Sequence, residues 1–98
     1  MGVYCFDLDN TLCFSIGDDY ERSTPHQDRI DAVNRLYDQG HTVIIFTARG
    51  SLSGRDLEEF THGQLQKWGL RFHSLHLGKP FADFYIDDKA VKDTEFFD

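Results

Sequence analysis

Val3-Tyr4-Cys5-Phe6-Asp7-Leu8-Asp9-Asn10-Thr11 is the stretch that decides the fold: a short apolar run that ends abruptly in Asp7 and Asp9. A run of this length bounded by acids reads as a buried strand whose C-terminal end presents carboxylates. Working outward, Thr42-Val43-Ile44-Ile45-Phe46 is a β-branched and aromatic run of the kind buried in a parallel sheet, and it leads into Thr47, Ala48, Arg49 and Gly50. Phe72 to Leu77 reads as a third strand. Ala82 to Ile86 reads as a fourth, again ending in acids, Asp87 and Asp88. Between the strands lie two helical patterns. Asp28 to Gln39 places Ile30, Val33, Leu36 and Tyr37 on one face, with Gly40 as a stop. Asp56 to Trp68 does the same with Leu57, Phe60, Leu65 and Trp68, closed by Gly69 and opened by Ser53 and Asp56 as a capping box.

Strands alternating with helices predict an α/β fold with right-handed crossovers and a mainly parallel sheet, which binds ligands at the carboxyl ends of its strands. Asp7 and Asp9, Thr47 and Arg49, and Asp87 and Asp88 all fall at such ends. Lys79, in the loop entering the fourth predicted strand, can reach the same edge. Several carboxylates on one edge repel each other unless a hard divalent cation and a cationic side chain sit among them, and Mg²⁺ is the cation that shares a few carboxylates with a phosphate. Phosphoryl transfer then needs a nucleophile, charge neutralisation and a proton donor, and the edge offers a residue for each.

Composition limits the rest. The 98 residues, 40% of them hydrophobic, suit one compact domain spanning 1–98. No apolar run reaches the roughly 20 residues of a membrane span, and the N-terminus begins as a strand rather than a signal peptide, so a cytoplasmic protein is expected. Cys5 and Cys13 form neither a disulfide framework nor a metal-ligand spacing and are expected to be buried packing residues. A net charge of −7 argues against nucleic acid as a partner. A small anionic substrate remains compatible if a metal supplies local positive charge.

Asp7-Leu8-Asp9-Asn10-Thr11 also resembles the DxDxT signature of the haloacid-dehalogenase superfamily, and the other motifs follow in order. Ile44-Ile45-Phe46-Thr47 is similar to the second motif, Lys79 to the third-motif lysine, and Tyr85-Ile86-Asp87-Asp88 to the paired acids of the fourth. Thr-Ala-Arg-Gly at 47–50 and the later Gly78-Lys79-Pro80 to Asp88 resemble small capless members associated with sugar or capsule biosynthesis. The resemblance implies a minimal Rossmann-like parallel sheet of about four strands in the order 3-2-1-4, with helices on both faces and no cap domain. It implies a Mg²⁺-dependent phosphatase acting on a small phosphorylated metabolite, a sugar phosphate among the options. In that chemistry Asp7 attacks phosphorus, and Asp9 protonates the leaving alcohol and then activates water. Asp7, the Asp9 carbonyl and Asp87 would hold the metal, with Asp88 orienting a metal-bound water. Thr47, with Ala48 nearby, and Lys79 would contact the phosphoryl group, and Arg49 the remote part of the substrate.

The segment 12–26 replaces the cap that most members carry and is expected to form a short flap from which Tyr20 and Arg22 touch substrate. The chain ends ten residues after Asp88, so an open sheet edge favours a homo-oligomer. Taken singly, Thr47 reads as a strand end, Lys79 as a solvated loop lysine, and Asp87-Asp88 as the start of a turn; the ordered set gives them meaning. An EF-hand reading fails, since Leu12 and Asp18 stand where Gly and Glu are needed. A two-component receiver domain has its acids, Thr and Lys in another order. A regulatory protein that keeps the fold without turnover, and a polynucleotide 3′-phosphatase, remain alternatives; Asp9 disfavours a dehalogenase, and the missing cap a phosphomutase. The five histidines show no ligand spacing.

Overall fold

The computed structural model describes residues 1–97. Strand β1 (Val3–Asp7) pairs in parallel with β4 (Thr42–Thr47), which pairs in parallel with β5 (Ser74–Leu77), giving a three-stranded sheet in the order β1-β4-β5. Helix α1 (Gln27–Asp38) connects β1 to β4, and α2 (Glu58–Lys67) connects β4 to β5. The chain therefore is a small α/β protein. A two-stranded antiparallel ribbon of β2 (Cys13–Phe14) and β3 (Thr24–Pro25) lies between β1 and α1, and a short α3 (Asp93–Phe97) follows the sheet.

Period-two alternation decides which face of the sheet is buried. Tyr4 and Phe6 of β1 align with Val43 and Ile45 of β4, both fully buried, and these meet Ile30 and Val33 of α1 and Leu65 of α2 in one apolar core. Leu8 and Leu12, also fully buried, anchor the loop after β1 in that core. Phe96 and Phe97 of α3 pack their rings against Phe6, on the same face. Helices α1 and α2 each close on a glycine: Gly40 and Gly69 have φ of +93° and +73°, a region open to glycine at no steric cost.

Four expectations are corrected. The sheet has three strands, since Ala82 to Ile86 is irregular and Phe84 and Ile86 are 82% and 97% exposed. The reason is local: the Tyr85 hydroxyl donates to the Pro80 carbonyl at 2.6 Å and accepts from the Ala82 amide at 3.2 Å, folding the segment on itself. The helices lie on one face rather than two: strand order advances in one direction from β1 to β5, so successive right-handed crossovers stack on the same side. Cys5 on the opposite face is consequently exposed, while Cys13 is buried as expected. The capping box does not form either. Leu57 occupies the N-cap of α2 without a side-chain bond, and Ser53 and Asp56 instead accept from the amides of Arg55 and Glu58, two residues onward.

Candidate active site

The parallel register brings strand ends level, with Asp7 opposite Phe46 and Thr47 opposite Leu77. Asp7 is the last residue of β1, and the chain then turns sharply: the Leu8 carbonyl accepts from the amides of Thr11, Leu12 and Cys13, and Asn10 takes a φ of +62°. That turn folds Thr11 back so that its hydroxyl donates to Asp7 Oδ2 at 3.3 Å. The other carboxylate oxygen, Oδ1, lies 3.3 Å from Lys79 Nζ. Lys79 is delivered there because its amide donates to the Thr47 carbonyl just past β5. Asp7 keeps 37% of its side chain exposed, so it is anchored from two sides and still open to an incoming group.

Asp9 is held differently. The Arg49 guanidinium grips it through Nε to Oδ2 at 3.0 Å and Nη2 to Oδ1 at 2.8 Å, a two-point pairing that fixes the carboxylate plane. Ser15 donates to the same Oδ1 at 2.6 Å. Cys13 Sγ lies 3.5 Å from Oδ1, and its thiol is pushed up to about 11, chiefly by burial. Thr47 is fully buried and its Oγ1 accepts from the Arg49 amide at 3.1 Å, which leaves its own O–H as a donor. Ala48 contributes backbone only, its carbonyl accepting from the Ser51 amide.

Asp7, Thr47 and Lys79 thus come together at the C-terminal edge, with Asp9 beside them. Arg49 is not placed to bind substrate: its side chain has no exposed surface, and its remaining nitrogen donates to Gln64 Oε1 at 2.7 Å and Thr61 Oγ1 at 3.3 Å. Tyr20 covers the guanidinium, with the ring centroid 4.5 Å from Cζ, and its phenol is raised above the usual value by burial and then by the nearby Asp9 charge. Arg22 is 88% exposed beside Asp19. Arg22, but not Tyr20, lines a cavity of about 360 Å³ with Asn10, Phe14, Ser15 and Ile16, which offers room for the organic part of a ligand.

Asp87 and Asp88 do not join this cluster. They lie on the exposed segment that forms no strand, and Asp87 Oδ1 accepts from the Lys89 amide at 2.9 Å, the first cause of its lowered pKa. Among the described residues, no three His, Cys, Asp or Glu side chains gather into a set that could hold an ion. Asp87 and Asp88, expected to hold Mg²⁺ together with Asp7 and Asp9, therefore stand apart from them in this arrangement. Two participants were not foreseen. Tyr85, quoted in the fourth motif but given no role, stacks on Lys79 with Nζ 4.1 Å from the ring centroid, and Gln64, outside any motif, joins Arg49 to the flap; only the tertiary contacts reveal these parts.

No protein-family model and no curated protein matches the chain. A crystal structure of a structural-genomics target from Vibrio cholerae is similar to it, with a TM-score of 0.88 and 28% identity, covering 99% of this chain and 88% of that one.

Proposed function

We propose that the chain is a phosphohydrolase of haloacid-dehalogenase type that transfers the phosphoryl group of a small phosphorylated metabolite to Asp7 and then to water. The observation that carries this reading is the Asp7 carboxylate held between Lys79 and Thr11 at the C-terminal edge of a parallel sheet, with Asp9 two residues on. Lys79 offsets charge on the phosphoryl oxygens, while Thr47, fully buried, braces the strand end by accepting from the Arg49 amide. Asp7 attacks phosphorus as the bond to the leaving oxygen breaks; Asp9 gives that oxygen a proton and later takes one from the attacking water. The resemblance also implies Mg²⁺, whose charge would offset the acids along this edge, and a fourth strand that would carry Asp87 and Asp88 toward Asp7.

Phosphate release from a panel of phosphorylated metabolites, with and without Mg²⁺, tests the reading in wild type and Asp7→Asn. Release from wild type is expected, with loss of about 10³-fold or more in the variant, as for removal of other covalent nucleophiles. Release that survives Asp7→Asn contradicts the mechanism. No release from folded wild type favours a phosphate-binding regulatory protein, in keeping with the uncollected carboxylates.

A further inference from the structure

Arg49 carries a charge with no exposed surface, and each of its side-chain hydrogen bonds joins parts of the chain that are distant in sequence. Its two nitrogens on Asp9 tie β4 to the loop after β1, and its third ties both to Thr61 and Gln64 of α2. Gln64 then donates through Nε2 to the Tyr20 carbonyl at 2.8 Å, and the Tyr20 ring closes over the guanidinium. The far side of the same flap reaches the same carboxylate: Ser15 donates to Asp9 and shares a 2.6 Å hydrogen bond with Ser23. The flap is therefore fastened to Asp9 directly at Ser15 and through Arg49 at Tyr20.

We propose that Arg49 is a positioning residue that couples the orientation of Asp9 to the closed state of the flap, so that Asp9 is held in place for proton transfer only while Tyr20 covers the guanidinium. As a statement about how the proposed phosphatase works, it rests on that reading; as a statement about mechanical coupling it does not. A desolvated guanidinium has no water to replace lost partners, so releasing one contact strains the others and the network moves as a unit. Arg49 itself touches no substrate.

Backbone amide exchange across Ser15–Ser23 and steady-state kinetics, measured on wild type, Arg49→Lys, Gln64→Ala and Tyr20→Ala, test the coupling. Lysine keeps the charge and loses the two-point grip. In Arg49→Lys the flap amides are expected to exchange faster while those of α1 and β4 stay protected, and kcat is expected to fall about 10²-fold with little change in KM, the signature of misplacement rather than lost binding. Combined with Tyr20→Ala, the loss should fall well short of the product of the single losses. Flap exchange unchanged in Arg49→Lys, or fully multiplicative losses, overturns the proposal. If Arg49→Lys fails to fold, Gln64→Ala cuts the tie to Tyr20 from the surface of α2 and must loosen the flap and lower kcat; wild-type behaviour there overturns it equally. Exchange is read without substrate, so wild type that releases no phosphate defeats the phosphatase reading and leaves the coupling test standing.

Discussion

At the scale of single residues, the clearest electrostatic contact outside the active site joins Arg29 of α1 to Asp93 of α3, with Nη1 2.7 Å from Oδ2. Arg29 also donates to the Thr11 carbonyl and lies 4.8 Å from the Phe97 ring centroid, so it holds α3 against the loop behind Asp7. The hydrogen bond from Arg29 keeps the Asp93 carboxyl below its usual range. A pKa lowered by folding stabilises the protein above the unfolded value and ceases to do so as pH falls through the folded one. Asp93→Asn is therefore expected to cost about 1 kcal/mol at neutral pH, the partial exposure of the pair keeping the figure small. Thermal melts should show the difference from wild type shrinking as the pH drops below the ordinary carboxylate range, about 3.9. A constant difference across that range contradicts the assignment.

At the scale of elements, what the sequence made legible was whatever periodicity and glycine stops encode. Both long helices and the first three strands lie where apolar spacing placed them, with ends displaced by a residue or two, since helix termini fray and β5 starts only where pairing with Ile44 begins. The cluster of Asp7, Thr47 and Lys79 was legible for the same reason: each follows from a strand end. Hidden from the sequence were contacts that depend on a third element, such as the burial of Arg49 under Tyr20, and the fate of Ala82 to Ile86. That segment has the composition of a strand, but its Tyr85 hydroxyl binds Pro80 and Ala82 and folds it on itself, and it pairs with no strand. On the proposed reading it is expected to add beside β1 when Mg²⁺ and phosphate are present together. Amide exchange supplies the check: slowed exchange across 82–86 on adding both supports the fourth strand, and unchanged exchange at saturating concentrations removes it and Asp87 from the site.

At the scale of the whole molecule, a three-stranded sheet with helices on one face leaves the edge that carries Asp7 and Lys79 covered, among the described residues, by nothing larger than the flap. No helix among the described residues is long and apolar enough to cross a membrane. The chain carries a net charge of −7, and two cations each face one of the two carboxylates at the sheet edge: Lys79 faces Asp7 and Arg49 faces Asp9. On the proposed reading this division gives the two carboxylates separate tasks, Asp7 anchored as the nucleophile and Asp9 restrained beneath the flap. Rapid acid quench of the protein turning over a substrate found by phosphate release, followed by peptide mapping, tests that division most directly. The expected result is one phosphoryl group on the peptide containing Asp7, located on Asp7 itself and absent from Asp7→Asn; phosphate turnover with no phosphorylated peptide, or with the group on another residue, contradicts it.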